Sequence, residues 1–414
     1  MPNTCGTWIS DRPRLRRTCS TAVIALLLAA GAAGQEISVR LESREFNHGK
    51  DFEDAQDFFA TCAFLPGPGP ALGTVPSGLS DVTHAEIADS PVRFLVVCRG
   101  KTASSADTVW CISHTRRFIR PCRTSRTGQE ADGAVRYRVD VRYMLTNLAR
   151  QRVRIDVPVD LKIDPRGSTL AYRCADFRVG SATIGGIAYR IGLLRRYSGL
   201  TFRKGHMMSI LIGRPGEHRF RLRAGVDAAG RYRPREAFST DGPVMVGGSA
   251  YEIAAISPDG SRIVLRPSEQ KESAEAGFQM PQLTFETIEG EELGLDQLRG
   301  KTVILVWWRQ ASAECIAEMT ALSTLEKRFR GRDDVVFLGA SPDGKESLSV
   351  FLRGHKTGVR IVQATRQARE LLGMAFPRNI VIDRNGTVFY DEYKAAAAGD
   401  GELEAAINAC RAVR

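Results

Sequence analysis

Apolar and polar residues alternate strictly at Val135, Tyr137, Val139, Val141 and Tyr143, with Arg136, Arg138, Asp140 and Arg142 between them. The same alternation returns at Val153, Ile155, Val157, Val159, Leu161 and Ile163. A period of two sends successive side chains to opposite faces, so each segment predicts a half-buried strand. A polar connection around Thr146-Asn147 joins them, and Asp164-Pro165-Arg166-Gly167 supplies turn chemistry after the second. Tyr251 to Ile256 and Arg262 to Arg266 make a further pair, split by Ser257-Pro258-Asp259-Gly260, and predict a hairpin. Residues 35–266 are therefore expected to form a mostly β domain, an antiparallel sandwich or barrel.

The pattern changes in the last third of the chain. Thr302 to Trp308 is almost continuously apolar, as in a strand buried on both faces. Ile316, Met319, Leu322, Leu325 and Phe329 then recur at helical spacing, with Gly331 as the stop. Val335 to Leu338 predicts the next strand, and Ser347 to Leu352 and Ala368 to Leu372 lie in helices. Ile380 to Asp383 and Val388 to Tyr390 are strands joined by the turn pair Asn385-Gly386, and Leu403 to Ala412 closes the chain as a helix. The expected order is βαβ, then α, a β-hairpin and α: an α/β domain over 277–414. Residues 267–276 are polar and poor in large apolar side chains, which predicts a linker. A length of 414 residues suits two domains.

The amino terminus carries an address rather than structure. Arg12, Arg14, Arg16 and Arg17 precede an apolar run from Thr21 to Ala30, and Ala32-Ala33-Gly34 has the small residues of a cleavage site, so residues 1–34 read as a signal peptide. The run is shorter than the ~20 residues of a spanning helix, which argues against a retained N-terminal membrane anchor. Arg16-Arg17 lacks the apolar sequel of the twin-arginine route, so general secretion is expected, with a periplasmic or extracellular destination.

Formal net charge is +11; this segment holds four arginines and one aspartate, so the remainder carries +8. No basic run is interleaved with aromatics, which excludes nucleic acid as the expected partner and permits only peripheral contact with an anionic cell envelope. Nine cysteines are present, two of them in the signal segment. Cys62, Cys98, Cys111, Cys122, Cys174, Cys315 and Cys410 remain, and in an oxidising compartment Cys98, Cys111 and Cys122 are expected to staple short strands. No Cys-x-x-Cys pair exists and His84 and His114 stand alone, so neither metal nor cofactor is expected. Pro66-Gly67-Pro68-Gly69-Pro70 opens a surface loop running to Leu79.

Three segments of the C-terminal part agree with one family in order. Met280-Pro281-Gln282-Leu283, with Leu295, Leu298, Arg299, Gly300 and Lys301, precedes the central strand; Trp307-Trp308-Arg309-Gln310-Ala311-Ser312-Ala313-Glu314-Cys315-Ile316-Ala317-Glu318-Met319 makes a strand-to-helix corner; Phe376-Pro377 precedes Ile380-Val381-Ile382-Asp383. About a third of the chain thereby resembles the thioredoxin fold of the TlpA-like and AhpC/TSA (alkyl hydroperoxide reductase/thiol-specific antioxidant) group.

The resemblance implies a Trp-Cys-x-x-Cys corner whose first cysteine attacks a disulfide and whose second resolves it. Here Ala311 stands at the tryptophan and Ser312 at the attacking cysteine, and a hydroxyl cannot replace a thiolate. Cys315 remains, in the first turn of a helix whose dipole favours a thiolate; Arg309 helps and Glu314 opposes. Ser-x-x-Cys also looks like the peroxiredoxin pattern Thr-x-x-Cys, but the proline and arginine of that pattern fall on Trp308 and Pro377.

Two readings follow. In the first the protein is a one-cysteine thiol oxidoreductase or weak peroxidase: Cys315 is the nucleophile and Ser312 caps the helix. Pro377, Trp308 and Arg309 then shape the substrate groove, protein thiols, disulfides or peroxide are substrates, and an external reductant completes the cycle. In the second it is a redox-inactive binding or scaffold module. Cys410 is the candidate resolving partner, although the terminal helix of this fold does not usually reach the corner.

Overall fold

The computed structural model describes residues 35–46, 48–53, 60–69, 75–90, 93–115, 119–195, 201–205, 208–355, 357–392 and 401–413. Residues 1–34, expected to be a signal peptide, lie outside the described residues.

The N-terminal region is β-rich. Its largest element is a nine-stranded, wholly antiparallel, near-barrel sheet that includes Val135–Thr146 and Arg152–Ile163. These two strands pair over their whole length, from Val135 opposite Ile163 to Thr146 opposite Arg152. The alternation has the expected result: Val139, Val141, Val157, Val159 and Leu161 are sealed in the core, and the arginines point outward. Arg138 meets Asp160 at 2.6 Å and Arg142 meets Asp156 at 2.7 Å across the outer face. The exposed Arg142–Asp156 pair fixes register more than it adds stability, and Arg138–Asp160 is part-buried.

Two smaller sheets face each other over a second apolar core. One holds Asp176–Ile184, Ile187–Arg195 and Met208–Ile212; the other holds Ser249–Ile256 and Arg262–Pro267. The expected hairpin is this last pair. Its turn is closed by Asp259, which accepts from the Ser261 N–H at 3.0 Å. Gly260 there has φ +72°, and a Cβ would meet the Phe202 ring at 2.5 Å, so glycine is required twice over.

The C-terminal part is a seven-stranded sheet flanked by helices. In chain order it contains β1 (Thr284–Thr287), β2 (Glu292–Gly294), β3 (Thr302–Trp307), α1 (Ala313–Arg328), β4 (Val335–Ser341), α2 (Lys345–Gly354), β5 (Arg360–Ala364), α3 (Arg366–Leu372), β6 (Arg378–Ile382), β7 (Val388–Glu392) and α4 (Glu402–Ala412). The strand order is β2-β1-β5-β4-β3-β6-β7, with β3, β4 and β5 parallel and the rest antiparallel. This is the thioredoxin-like α/β architecture that the sequence predicts, with three strands added. The β1–β2 hairpin and β5 escape the hydrophobic pattern because each offers only two or three apolar residues before a turn or helix begins.

Residues 267–276 do not behave as the expected free linker. Ala274 lies in the core under the C-terminal sheet, and its carbonyl accepts from Arg378 Nη2 at 2.9 Å. Around it is a buried ion cluster. Asp391 on β7 accepts from Arg378 Nε at 2.6 Å and from Arg235 Nη2 at 2.8 Å. Glu275 reaches Arg235 at 3.5 Å, and Glu392 accepts from the Ala224 N–H at 3.1 Å. Burial pushes the Asp391 carboxyl up, but the Arg378 and Arg235 guanidiniums outweigh it and hold the group below the usual carboxylate range. Glu275 is raised by burial and by Asp391 beside it. The cluster joins the β region, the connecting segment and the strand that follows Pro377.

Asp391→Asn leaves two buried guanidiniums with one formal countercharge fewer, so it should lower the unfolding free energy by about 3–5 kcal/mol in chemical denaturation. A loss below about 1 kcal/mol would show that the cluster does not hold these parts together.

Candidate functional site

The strand-to-helix corner begins where β3 runs out. Trp308 still gives its N–H to the Ala340 carbonyl at 3.0 Å, and then the chain turns. The turn is tied to the neighbouring loop: the Gln310 N–H donates to Asp343 at 2.6 Å. Ser312 is the N-cap of α1, with extended φ and ψ of −110° and 123°, and its hydroxyl oxygen accepts from the Cys315 N–H at 3.2 Å. This satisfies one of the free amides of the first turn. The hydroxyl's own proton goes to Glu314 at 2.8 Å. The carboxyl of exposed Glu314 is held below its usual range by its own backbone N–H and by Ser312.

Cys315 therefore sits where the sequence places it, three residues past the cap, but it faces inward. It is 0% exposed, within the core that contains Trp308, Met319, Leu322 and Phe351. Trp308 corrects the expectation of a groove residue. It too is 0% exposed, its ring 4.8 Å from that of Phe351, because α1 and α2 cover the face of β3 from which it projects.

The other expected groove residues do meet. The Phe376–Pro377 peptide bond is cis and Pro377 is buried beneath the corner. The Arg309 guanidinium lies 5.7 Å over the half-buried Phe376 ring, and Trp307 packs on the same ring at 5.2 Å while its Nε1 donates to the Gly373 carbonyl at 3.0 Å. Met374, two residues before Phe376, is 78% exposed. The surface at the corner is thus Arg309, Ala311, Met374 and the edge of Phe376, without sulfur chemistry from a cysteine.

One residue received no role from the sequence. Glu318, in the helical turn after Cys315, is 0% exposed and accepts from Asn379 Nδ2 at 2.6 Å. Asn379 comes two residues after Pro377, so a buried carboxylate links α1 to the cis-proline strand. Burying a carboxylate is costly unless it is hydrogen-bonded. Its spacing from Cys315, Met319 and Leu322 puts it on the apolar face of the helix, and that was the available signal.

Cys410 cannot serve Cys315. It lies on α4 against Thr302, where burial pushes its thiol up to about 12. Thr302 starts β3 and Cys315 lies beyond its end; five residues of strand span ~17 Å. Among the described residues no group of three or more His, Cys, Asp or Glu is arranged to hold a metal.

Residues 276–391 match the family model of the AhpC/TSA family. With the strand order above, this makes the C-terminal part a thioredoxin-like domain of that family. A search of the curated proteins finds no match. Among solved structures, the chain is similar to a protein of Bacteroides vulgatus assigned as a thiol-disulfide oxidoreductase, at 22% identity over 33% of this chain and 97% of that one, with a TM-score of 0.29. It is also similar to a thioredoxin-family thiol:disulfide interchange protein of Chlorobium tepidum, at 16% identity over 32% and 94%, with a TM-score of 0.29. A third is the exposed lipoprotein thioredoxin Etrx1 of Streptococcus pneumoniae, at 16% identity over 30% and 97%, with a TM-score of 0.27.

Ser312→Ala removes the cap from α1 and should cost about 1 kcal/mol in thermal or chemical unfolding. An unchanged stability would mean that the Ser312–Cys315 hydrogen bond is not what starts the helix.

Proposed function

We propose that the thioredoxin-like domain is a binding module, which holds an extended segment of a partner protein against the cis-proline corner and does not turn over a disulfide. One observation carries this reading: the corner's remaining sulfur is fully buried while the solvent-facing position of the motif is a serine. Thiol exchange needs a thiolate in line with the attacked sulfur, and Ser312 cannot supply one. What remains at the surface is a groove wall of Met374, the edge of Phe376 and the Arg309 guanidinium beside the buried cis-Pro377, suited to backbone and apolar contact with an extended chain. The partner class that fits is a protein bearing thiols or disulfides. The reading includes export to the cell envelope or beyond, on the strength of the basic and apolar pattern of residues 1–34; among the described residues no helix is long and apolar enough to cross a membrane.

Glu318 favours a second reading. A buried carboxylate one turn from a buried thiol is a costly pair to keep in an inert core, and it suits an oxidoreductase in which opening of the first turn of α1 exposes Cys315.

Reduction of a protein disulfide by dithiothreitol separates the two. Under the binding reading the wild-type chain does not accelerate it, and Ser312→Cys, which restores a dithiol to the same corner, accelerates it at least ~10-fold over wild type. Acceleration by the wild type that disappears in Cys315→Ser would overturn the binding reading and support the second.

A further inference from the structure

The cysteines of the β region are sorted by strand register. Cys111 lies on the strand Asp107–Thr115 and Cys122 on its neighbour Ile119–Gln129, and the two are register partners. Both belong to the apolar core of the large sheet, with Val97, Val139 and Leu161. In an antiparallel ladder, pairs that exchange two hydrogen bonds alternate with pairs that exchange none. The pair next to the cysteines is Ile112 with Pro121, and proline has no N–H to give. The alternation therefore makes Cys111 and Cys122 a hydrogen-bonded pair, with Cα atoms ~5.5 Å apart. A disulfide spans Cα separations of ~4.4–6.8 Å, most often about 5.5–6 Å.

The same register excludes the competitors. Cys98 is opposite Trp110, the residue before Cys111, so its side chain leaves the sheet on the other face, among Val96, Ile112 and Trp110. Of the three cysteines expected to staple short strands, the register brings only Cys111 and Cys122 opposite each other. Cys62 and Cys174 share the inner face, but Cys62 is opposite Leu170, four residues or ~13 Å along the ladder from Cys174. Burial pushes the Cys111 thiol up, and Cys122 and Cys98 on the two flanking strands both add to the shift, so the choice between them rests on the register.

We propose that Cys111 and Cys122 are an oxidation site that closes into one intramolecular disulfide across these two strands. The oxidant is a low-molecular-weight or protein disulfide, R–S–S–R. Cys122 is the more exposed of the two; as a thiolate it attacks one sulfur of the oxidant and displaces the first R–SH. Cys111 then attacks the Cys122 sulfur of the mixed disulfide, forming the Cys111–Cys122 bond and releasing the second R–SH. Two thiol protons and two electrons leave the chain, and the oxidant is reduced to two thiols. The bond closes a short loop at the point where the ladder passes through a proline and has lost a donor.

The test is disulfide mapping of the full chain, incubated natively with oxidised glutathione and, separately, refolded in a glutathione redox buffer. Trypsin does not cut Arg120-Pro121, so Cys111 is carried by residues 102–116 and Cys122 by residues 118–123. After alkylation in denaturant and digestion without reduction, these two peptides should appear as one linked species that reduction separates. Cys98 should be absent from it, and reduction should lower the apparent melting temperature by about 5 °C or more. Refolding removes any barrier of access. The proposal is overturned if, after it, both peptides are recovered alkylated, if each carries its own glutathione, or if either is joined to another cysteine.

Discussion

Everything around the corner leans on one carboxylate shared between two guanidiniums away from water. Asp391 holds Arg378, which directly follows cis-Pro377, and Arg235, which belongs to the β region. Because Arg378 also takes the Ala274 carbonyl, the connecting segment, the edge strand and the cis-proline strand cannot shift independently. The last link runs along the chain itself: Asn379, one residue after Arg378, holds Glu318 on α1. The β region and the cis-proline strand are thereby connected by short polar contacts. In a low-dielectric interior such contacts are stronger than in water, and removing a charged partner is correspondingly costly.

The same packing decides what the corner can do. A thiol at the mouth of a helix is reactive only when solvent and substrate reach it, and favourable electrostatics cannot compensate for missing access. Ser312 caps α1, and Cys315 is buried in the same core as the contacting rings of Trp308 and Phe351. The thioredoxin-like scaffold persists while the first position of the motif is a serine, which is the observation behind the proposed binding role.

Much of the architecture was legible in the sequence because burial on one face writes itself as alternation. Val135 to Ile163 read as two strands and are two strands, in full register. The parallel strands were readable where the apolar run was long, as in β3, and not in β5, whose Arg360 and Gln363 break it. Residues 267–276 read as a linker because polarity in sequence does not distinguish a solvated segment from one buried in an ion cluster; Glu275 is polar and paired inside. At the corner, Ser312, Cys315 and Pro377 were found by motif. Their exposure was not, since the direction of Cys315 depends on how the cap sets the first turn and on what α2 covers. Trp308 was misplaced for that reason. Glu318 and Asn379 meet across 61 residues, a contact that only the folded sheet creates.

The most direct measurement is the rate at which a thiol reagent labels the native chain across pH, compared with denatured chain and with Cys315→Ser. The account predicts that Cys315 is labelled only at the rate at which the protein opens, so the native labelling curve is the same with and without it. A rapid native reaction, titrating below the usual range for a thiol and absent from the serine variant, would contradict it.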